Sequence, residues 1–327
     1  AHSPIAVRVF SHNRAPDRGW VMQRIRQAWE LRQPLRSGRT TAYRWVYGEG
    51  DGLPGLVVDL YGAYAVIETY AKSVESILNW AVDGLRACAP LKGVLYRGEH
   101  DQALWGRRPE HGLIVEENGL CFHVDPLAGQ KTGLYLDHRD NRAFLERWAE
   151  GRQVLDCFSY TGAFALYALR GDARQVVSVD IAAPAIEQAR RNRKLNGFSP
   201  DDHPCLVADC FDLLDEYAKP GRRFDLVILD PPSLARTRAR RHAALRAYER
   251  LNCAAMRCVE VNGLLATASC TSQVSPGDFV GALADAAVRA DRSLRILHES
   301  GHALDHPVPA HFPPRFCRRV PLLFPGR

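Results

Sequence analysis

Acidic residues lie at the ends of four successive predicted strands in the C-terminal half of the chain. The strand ends read Asp156-Cys157-Phe158-Ser159-Tyr160-Thr161-Gly162, then Asp180, then Asp209, then Asp230-Pro231-Pro232. In a doubly wound sheet, ligands bind outside the carboxyl ends of the strands, near the switch in strand order. A single aspartate in such a place can simply cap the next helix. Four in register favour a nucleoside-binding site instead.

A nucleoside ligand gives several of these residues a chemical role. Asp180 can accept both ribose hydroxyl protons, and Asp209 can accept a hydrogen bond from an adenine exocyclic amine. Gly162 lets the backbone approach a ligand closely before a helix begins. No G-x-G-x-x-G sequence follows the first strand of this half, and a cofactor of the methionine type, which has no pyrophosphate, needs no such anion cradle.

A G-x-G-x-x-G match does occur earlier, at Gly50, Gly52 and Gly55. It leads into a predicted strand and contains Pro54, whereas a dinucleotide fingerprint follows a strand and opens a helix. We interpret it as a turn, which leaves a nicotinamide dehydrogenase as the least favoured enzyme class.

The segment Asp230-Pro231-Pro232-Ser233 is predicted to form a stiff turn, because proline fixes φ. Such a turn can direct a carboxylate and a backbone carbonyl at the edge of a flipped base. A rigid loop without a partner is the simpler alternative.

Cys270 follows the predicted strand Gly263–Ala268, which places its thiol at the mouth of the same site. Cytosine C5 is unreactive until a nucleophile adds to C6, and a thiolate both adds and leaves readily. A buried core thiol is the ordinary interpretation of a cysteine, but the position favours a nucleophile.

Strands and helices alternate throughout the C-terminal half. The predicted strands are Gln153–Cys157, Gln175–Val179, His203–Val207, Phe224–Leu229 and Gly263–Ala268, and the predicted helices are Asp140–Trp148, Gly162–Leu169, Ala183–Leu195, Phe211–Tyr217 and Ala243–Cys258. Alternation of this kind predicts a parallel, doubly wound α/β sheet.

The N-terminal part has a different texture, typical of a smaller α+β domain. Helices are predicted over Gly19–Leu35 and from an N-cap at Ser73 to Ala87, and strands over Thr41–Tyr47, Leu56–Leu60, Ala63–Tyr70, Gly93–Tyr96, Leu113–Glu116 and Leu120–Val124. Asn118-Gly119 between the last two strands is a strong hairpin signal.

Composition places the chain among ordinary globular proteins, with 46% hydrophobic and 24% charged residues over 327 positions. The net charge of +6 is weak support for a polyanionic partner. Nine cysteines without a C-x-x-C pair predict reduced thiols, no metal site and a cytoplasmic location. No apolar run is long enough to span a membrane, and residues 1–10 do not resemble a signal peptide.

Several long segments resemble the RlmI-type ribosomal RNA large-subunit cytosine-5 methyltransferase family. These are Gln130–Arg142, which resembles the opening of the catalytic domain, Val154–Phe164 (cofactor loop), Asp230-Pro231-Pro232 (motif IV), Ser269-Cys270 (nucleophile motif), Asp51–Asp59 and Asp305–Val308. The match covers almost the whole chain.

The resemblance implies S-adenosylmethionine as cofactor and a cytosine of large-subunit ribosomal RNA as target. It implies that Cys270 attacks C6 and that Asp230 lies at the cytosine edge. Tyr135 and Arg139 would lie near the cofactor, with Arg139 pairing its methionine carboxylate. The expected cofactor-binding residues are Tyr135, Arg139, Asp156, Phe158, Ser159, Tyr160, Thr161, Gly162, Asp180, Asp209 and Asp230.

The implied organisation is a remnant of an N-terminal PUA-like domain at 1–18, a central α+β domain at 19–126, and a Rossmann-like methyltransferase domain at 127–327. Three departures from the resembled family are expected: the sequence includes only a remnant of the PUA domain, Ser233 replaces the usual motif IV lysine, and Arg315–Arg327 diverges.

Basic residues follow motif IV and are candidates for RNA contacts beside Pro231, Pro232 and Ser233. They are Arg236, Arg238, Arg240, Arg241, Arg246 and Arg250. Such a cluster can bind phosphates, although a solvated basic face is the competing interpretation.

Two other functions stay open from the sequence alone. One is an RNA base N-methyltransferase. Those enzymes place an aromatic residue after Pro-Pro, whereas this chain has Ser233 there, which counts against this function. The other is a non-catalytic RNA-binding ribosome-assembly factor. The base that removes the C5 proton stays open between water and Asp230, and the oligomeric state, a homodimer included, is not set by the sequence.

Overall fold

Two units with separate hydrophobic cores make up the chain. A computed structural model describes residues 9–11, 15–36, 38–98, 101–127, 133–199, 202–219, 221–235, 237–310 and 320–326. Unit 1 consists of Ala1–Arg139 and Ala303–Pro313, and unit 2 of Asp140–His302 and Pro314–Arg327. The sequence predicts that 127–139 and 303–313 belong to the C-terminal domain, whereas the described residues of both ranges fall in unit 1.

Unit 1 is built on a five-stranded sheet of order β1-β2-β3-β4-β5, in which only the β3–β4 pair is parallel. The strands are β1 Ala42–Tyr47, β2 Leu56–Tyr61, β3 Tyr64–Thr69, β4 Gly93–Arg97 and β5 Gln102–Gly106. A separate hairpin joins β6 Leu113–Glu117 to β7 Leu120–Val124. Asn118 and Gly119 both have positive φ at its turn, as the Asn-Gly signal predicted.

Helices α1 Arg18–Leu31, α2 Gln33–Arg36 and α3 Leu78–Cys88 complete the regular structure of unit 1. Asp17 caps α1 by accepting a hydrogen bond from the Trp20 N–H at 2.7 Å. A Cβ at Gly84 would lie 3.2 Å from the Cα of Met22, so the glycine allows α1 and α3 to pack closely.

One prediction for unit 1 was wrong, and one strand was not predicted. Ser73 does not cap an α-helix, because a 3₁₀ helix over Lys72–Ile77 precedes α3. Strand β5 was not predicted, since its side chains are exposed or half-buried and show no apolar alternation. The 3₁₀ helix Gly48–Asp51 and the turn residues up to Gly55 lead into β2, as interpreted from the sequence.

Unit 2 contains a seven-stranded sheet of order β10-β9-β8-β11-β12-β14-β13. The strands are β8 Gln153–Cys157, β9 Gln175–Asp180, β10 Cys205–Val207, β11 Phe224–Leu229, β12 Val259–Thr267, β13 Ser293–Ser300 and β14 Val320–Gly326. Helices α4 Arg139–Glu146, α5 Ala163–Arg170, α6 Ala183–Leu195, α7 Cys210–Ala218, α8 Arg241–Arg257 and α9 Pro276–Ala290 connect them. The first five strands along this order are parallel, which confirms the doubly wound α/β prediction.

The sheet is mixed rather than purely parallel, because β14 pairs antiparallel with both β12 and β13. Neither strand was predicted. The side chains of β13 are mostly exposed, and β14 contains Pro321 and Pro325, which weaken a strand signal. Helix α9 was also missed, although Ser275 and Asp278 form a capping box around Pro276 at its start.

The strand order reverses between β8 and β11. From β8 the chain proceeds outwards through β9 to β10, and it then returns to β11 on the other side. The carboxyl ends of β8 and β11 therefore flank the switch point, where doubly wound sheets bind ligands. Among the helices that the structure describes, none is long and apolar enough to cross a membrane.

Candidate active site

The loop after β8 has an unusual backbone that its neighbours hold in place. Phe158 and Tyr160 have φ of 60° and 49°, which costs a non-glycine residue about 1 kcal/mol or more. The N–H groups of Phe158 and Tyr160 donate to Cys210 Sγ at 3.2 Å and to Asp180 Oδ2 at 2.9 Å. The Ser159 N–H donates to the Val179 carbonyl at 3.0 Å. Strain maintained in this way is typical of a functional loop.

Gly162 ends this loop with φ of 78°, directly before α5. A Cβ at this position would lie 3.0 Å from the Cβ of Ala189, so a larger residue would push the loop away from α6. Asn192 of α6 donates from Nδ2 to the Thr161 carbonyl at 3.0 Å. The glycine and the asparagine together fix the distance between the loop and α6.

Asp180 is oriented by backbone donors on both of its oxygens. Oδ1 accepts from the Ala182 N–H at 2.9 Å, and Oδ2 accepts from Tyr160. Each carboxylate oxygen has two lone pairs, so the half-buried side chain can still accept hydroxyl donors from a ligand. Ile181, which follows it, is 68% exposed and offers an apolar surface beside the carboxylate. Ile181 was not predicted as part of the site, although an apolar residue directly after an acidic strand end is a signal for it.

Asp209 is exposed and caps α7, with Oδ1 accepting from the Phe211 N–H at 2.8 Å. One carboxylate oxygen of Asp209 therefore has the simple role of capping a helix. Its interaction with an adenine amine stays a prediction.

Asp156 lies beneath the loop and is only 1% exposed. Burial raises the pKa of its carboxyl to about 7; the Arg193 guanidinium opposes this rise, and Asp230 and Asp180 add to it. Among the described atoms its Oδ2 has no hydrogen-bond partner, and the same holds for the buried Ser159 Oγ. Neither oxygen is satisfied by the protein, which is typical of a site that receives polar groups from a ligand.

The predicted nucleophile lies beside the predicted base-binding turn. The Cys270 thiol is half-buried, and its Sγ is 3.6 Å from the Pro231 carbonyl oxygen. The Ala268 N–H donates to the Leu229 carbonyl at 2.8 Å, so the ends of β12 and β11 are in register. Asp230 is half-buried directly before this turn. The structure therefore brings Cys270 and the Asp230 turn together at the carboxyl edge of the sheet.

The exposed end of this turn consists of Pro232 and Ser233. Ser233 Oγ donates to the Ala235 carbonyl at 3.3 Å, so its hydroxyl bonds within the turn. Ser233 is a neutral side chain at the position for which the resemblance predicted a lysine.

Tyr135 and Arg139, also predicted near the cofactor, belong to unit 1. The Arg139 guanidinium is buried and bidentate with the Asp305 carboxylate, with N–O distances of 2.8 and 3.0 Å. Burial acts to raise the pKa of Asp305, but the His306 hydrogen bond and the Arg139 charge hold it well below its ordinary value. Arg139 thus already has a carboxylate partner, and pairing with a methionine carboxylate stays a prediction.

The arginines after motif IV fall into two groups. Arg241 and Arg250 form ion pairs with Asp278 and Asp215, both at 2.6 Å. Arg238, Arg240 and Arg246 are exposed and form no ion pair with any described residue. Arg236 lies outside the described residues. The described part of the chain holds no His, Cys, Asp and Glu cluster suited to a metal ion.

The groups around the β8 loop fit an adenosine-type ligand. The loop backbone has positive φ at Phe158 and Tyr160, a Cβ at Gly162 would meet α6, and two buried oxygens have no partner among the described atoms. Asp180 and the exposed Ile181 together offer an acceptor and an apolar surface. Because an adenosine-type ligand has no phosphate, the site needs no positively charged side chains to bind an anion.

Comparisons with known proteins agree with this geometry. A family model described as S-adenosylmethionine-dependent methyltransferase matches residues 85–296. The ribosomal RNA large subunit methyltransferase I of Vibrio cholerae is 38% identical over 96% of this chain and 83% of its own length. The protein of the same name from Photobacterium profundum is 36% identical over 97% of this chain and 84% of its own.

A solved structure from Streptococcus mutans, assigned as a SAM-dependent methyltransferase, has the same fold. Its TM-score is 0.86 at 22% sequence identity, and the match covers 96% of this chain and 83% of that one.

Proposed function

We propose that this chain, which belongs to the family of S-adenosylmethionine-dependent methyltransferases, methylates C5 of a cytosine in large-subunit ribosomal RNA. S-adenosylmethionine is its cofactor. The observation that carries the proposal is the Cys270 thiol beside the Asp230-Pro231 turn, at the carboxyl edge of the sheet. The names of the two relatives support ribosomal RNA as substrate.

The residues that would hold the cofactor lie along the β8 and β9 ends of the sheet. Asp180 would accept the ribose hydroxyls, and the loop from Phe158 to Gly162 would contact the ligand through its backbone. When bound, S-adenosylmethionine would supply an electrophilic methyl group, whose bond to sulfur breaks on transfer and leaves S-adenosylhomocysteine.

Cys270 supplies the activation that cytosine C5 needs. Its thiolate forms a bond to C6, and the electrons of the C5–C6 double bond move to C5, which becomes the methyl acceptor. After the methyl group is in place, a base removes the C5 proton. The C5–C6 double bond then re-forms as the sulfur–C6 bond breaks, which returns the thiolate.

Asp230 would hold the target base during this addition. A carboxylate accepts hydrogen bonds from an exocyclic amine, and Pro231 and Pro232 restrict the turn that carries it. RNA phosphates would be bound by the exposed cations Arg238, Arg240 and Arg246.

Transfer of labelled methyl from S-adenosylmethionine to large-subunit RNA tests the proposal directly. RNA from a strain lacking this gene is the substrate, and nucleoside analysis identifies the product. A 5-methylcytidine peak supports the proposed target atom. A methyl on N4 or N6 would replace it with the N-methyltransferase alternative, and cofactor binding without transfer to any RNA would favour a non-catalytic factor.

The Cys270→Ala variant tests the covalent step. We expect turnover to fall by at least about 10³-fold, because C5 stays unreactive without the adduct, while cofactor affinity measured by calorimetry stays unchanged. Cys88→Ala is the matched control, since Cys88 is also half-buried but lies in α3 of unit 1. Full activity in Cys270→Ala would rule out the covalent mechanism.

A further inference from the structure

A buried tyrosine lies below the two loops that form the nucleophile end of the site. Tyr248 of α8 is fully buried, and its hydroxyl contacts both neighbours of Cys270. None of the sequence motifs includes this residue.

The hydroxyl takes part in a short chain of hydrogen bonds. Ser269 Oγ donates to the Tyr248 hydroxyl at 3.1 Å, and that hydroxyl and Thr271 Oγ1 are 2.7 Å apart. Thr271 Oγ1 also accepts from the Leu234 N–H at 3.0 Å. The phenol oxygen therefore bonds to the hydroxyls on both sides of Cys270, and either hydroxyl of the Tyr248–Thr271 pair can be the donor.

The chain connects the two loops. Ser269 and Thr271 flank the nucleophile, whereas Leu234 belongs to the loop that begins with the Asp230-Pro231 turn. The Cys270 thiol in turn donates to the Pro231 carbonyl. One phenol hydroxyl thus supports the cysteine loop on both sides, and through Thr271 it supports the base-binding loop as well.

Tyr248 is itself held firmly. Its ring packs edge-on against Phe279 of α9, with centroids 5.1 Å apart, and its carbonyl accepts from Asn252 Nδ2 at 2.8 Å. Thr271 is only 3% exposed. A rigid, buried partner restricts the loop more than an exposed one, because water cannot take its place.

We propose that Tyr248 is a positioning residue, whose hydroxyl holds Ser269 and Thr271 so that the Cys270 thiol lies at the Pro231 carbonyl, where the target base is attacked. The inference rests on the proposed function for the identity of the attacked atom. It does not rest on that function for the placement of the thiol.

Tyr248 does not act as a base or acid in this arrangement. Burial raises the pKa of its hydroxyl to about 12, although the hydrogen bonds with Ser269 and Thr271 act to lower it, so the phenol stays neutral at working pH. The side chain has no exposed surface with which to contact RNA.

Three substitutions separate positioning from general packing. Tyr248→Phe keeps the ring and removes the hydroxyl, Thr271→Val removes the other end of the bond at equal volume, and Thr271→Ser keeps it. Tyr217→Phe is the matched control, because Tyr217 is a buried tyrosine of the same unit, on α7. The double variant Tyr248→Phe/Thr271→Val tests whether the two hydroxyls act as one unit.

We expect kcat to fall about 10- to 100-fold in Tyr248→Phe and in Thr271→Val, because small misplacement of a reacting group has effects of this size. KM for RNA and cofactor affinity should stay within about twofold. The double variant should be no slower than either single one, and Thr271→Ser and Tyr217→Phe should keep near-full activity.

Alkylation of Cys270 by iodoacetamide, followed by peptide mass spectrometry, tests the placement without RNA or cofactor. We expect several-fold faster alkylation in Tyr248→Phe and Thr271→Val, since a released thiol leaves the Pro231 carbonyl, and no change in the control. Unchanged alkylation overturns the proposal, as does equal loss of cofactor affinity and kcat. If the wild type transfers no methyl to RNA, the proposed function fails and alkylation alone decides the role of Tyr248.

Discussion

At the scale of single residues, Asp156 shows how the site combines burial with charge. Its carboxyl lies below the β8 loop, and burial raises its pKa to about 7, with the Arg193 charge opposing this rise and the Asp230 and Asp180 charges adding to it. A carboxyl that stays protonated near neutral pH in the native state makes folding depend on pH.

We expect this group to destabilise the protein as pH rises. The unfolded carboxyl has a pKa of about 3.9, so the native state binds more protons than the unfolded state from there up to about pH 7. The contribution is therefore fully present below about pH 4 and is lost as pH rises through 7. Relative to Asp156→Asn, the wild type should lose about 3 kcal/mol of unfolding free energy between pH 5 and 8.

Urea unfolding of both proteins across that pH range measures the effect. Asp285→Asn serves as control, since Asp285 is exposed on α9, and its difference from the wild type should be flat. A flat difference for Asp156→Asn as well would mean that Asp156 is ionised throughout in the native protein.

The residues of the site were predictable to different degrees. Cys270 and the Asp230 turn could be placed together because strand ends share one edge of a sheet, and their contact through Pro231 agrees. Tyr248 could not, because it lies in mid-helix and acts through hydrogen bonds that only the packed structure forms. The partner of Arg139 was equally hidden, since Asp305 is distant in sequence.

At the scale of elements, the 3₁₀ turn Arg238–Arg240 and helix α8 carry the cations beside the site. Arg238 and Arg246 have no acidic partner among the described residues, whereas Arg250 pairs with Asp215. The ion pair neutralises Arg250 and leaves the other two available for phosphates.

Replacing Arg238 and Arg246 together by alanine should weaken RNA binding and flatten its salt dependence. Each lost phosphate contact is expected to lower the slope of log affinity against log salt by about 1. Binding of a large-subunit ribosomal RNA fragment at several salt concentrations measures that slope. Arg250→Ala on the same helix is the control and should keep the wild-type slope; an equal loss there would point to net charge alone.

Elements with strong local signals were predicted well, and those defined by their neighbours were not. β8, β11 and α6 match the predicted bounds residue for residue, because buried apolar runs and helical periodicity are local. β13 and β14 depend on each other for pairing and carry exposed residues or prolines, so no short-range pattern reveals them.

At the scale of the whole molecule, the chain returns to unit 1 after most of unit 2 is complete. The returning segment brings Asp305, whose buried carboxylate accepts hydrogen bonds from Arg139 and from the Arg44 N–H. The Arg32 guanidinium also donates to the Asp305 carbonyl at 2.8 Å. The N-terminal unit thus depends on residues far along the chain.

Asp305→Asn should destabilise unit 1 by about 3–5 kcal/mol, because it removes the carboxylate charge that pairs with the buried Arg139 guanidinium. Urea unfolding followed by tryptophan fluorescence measures this well, since Trp148 alone of the six tryptophans lies outside unit 1. The exposed pair of Arg18 and Asp83 provides the control, and Asp83→Asn should cost about 1 kcal/mol or less. Equal effects of the two substitutions would mean that the buried pair contributes no more than a surface one.

The interrupted course of unit 1 also bears on how such a gene can change during evolution. Recombination exchanges contiguous stretches of coding sequence, and a unit made of Ala1–Arg139 and Ala303–Pro313 is not one stretch. A crossover between these two stretches would combine Arg139 from one parent with the Asp305 loop from another. The buried ion pair would then depend on residues with different origins. We therefore expect recombination to transfer the coding sequence of both units together, and not that of either unit alone.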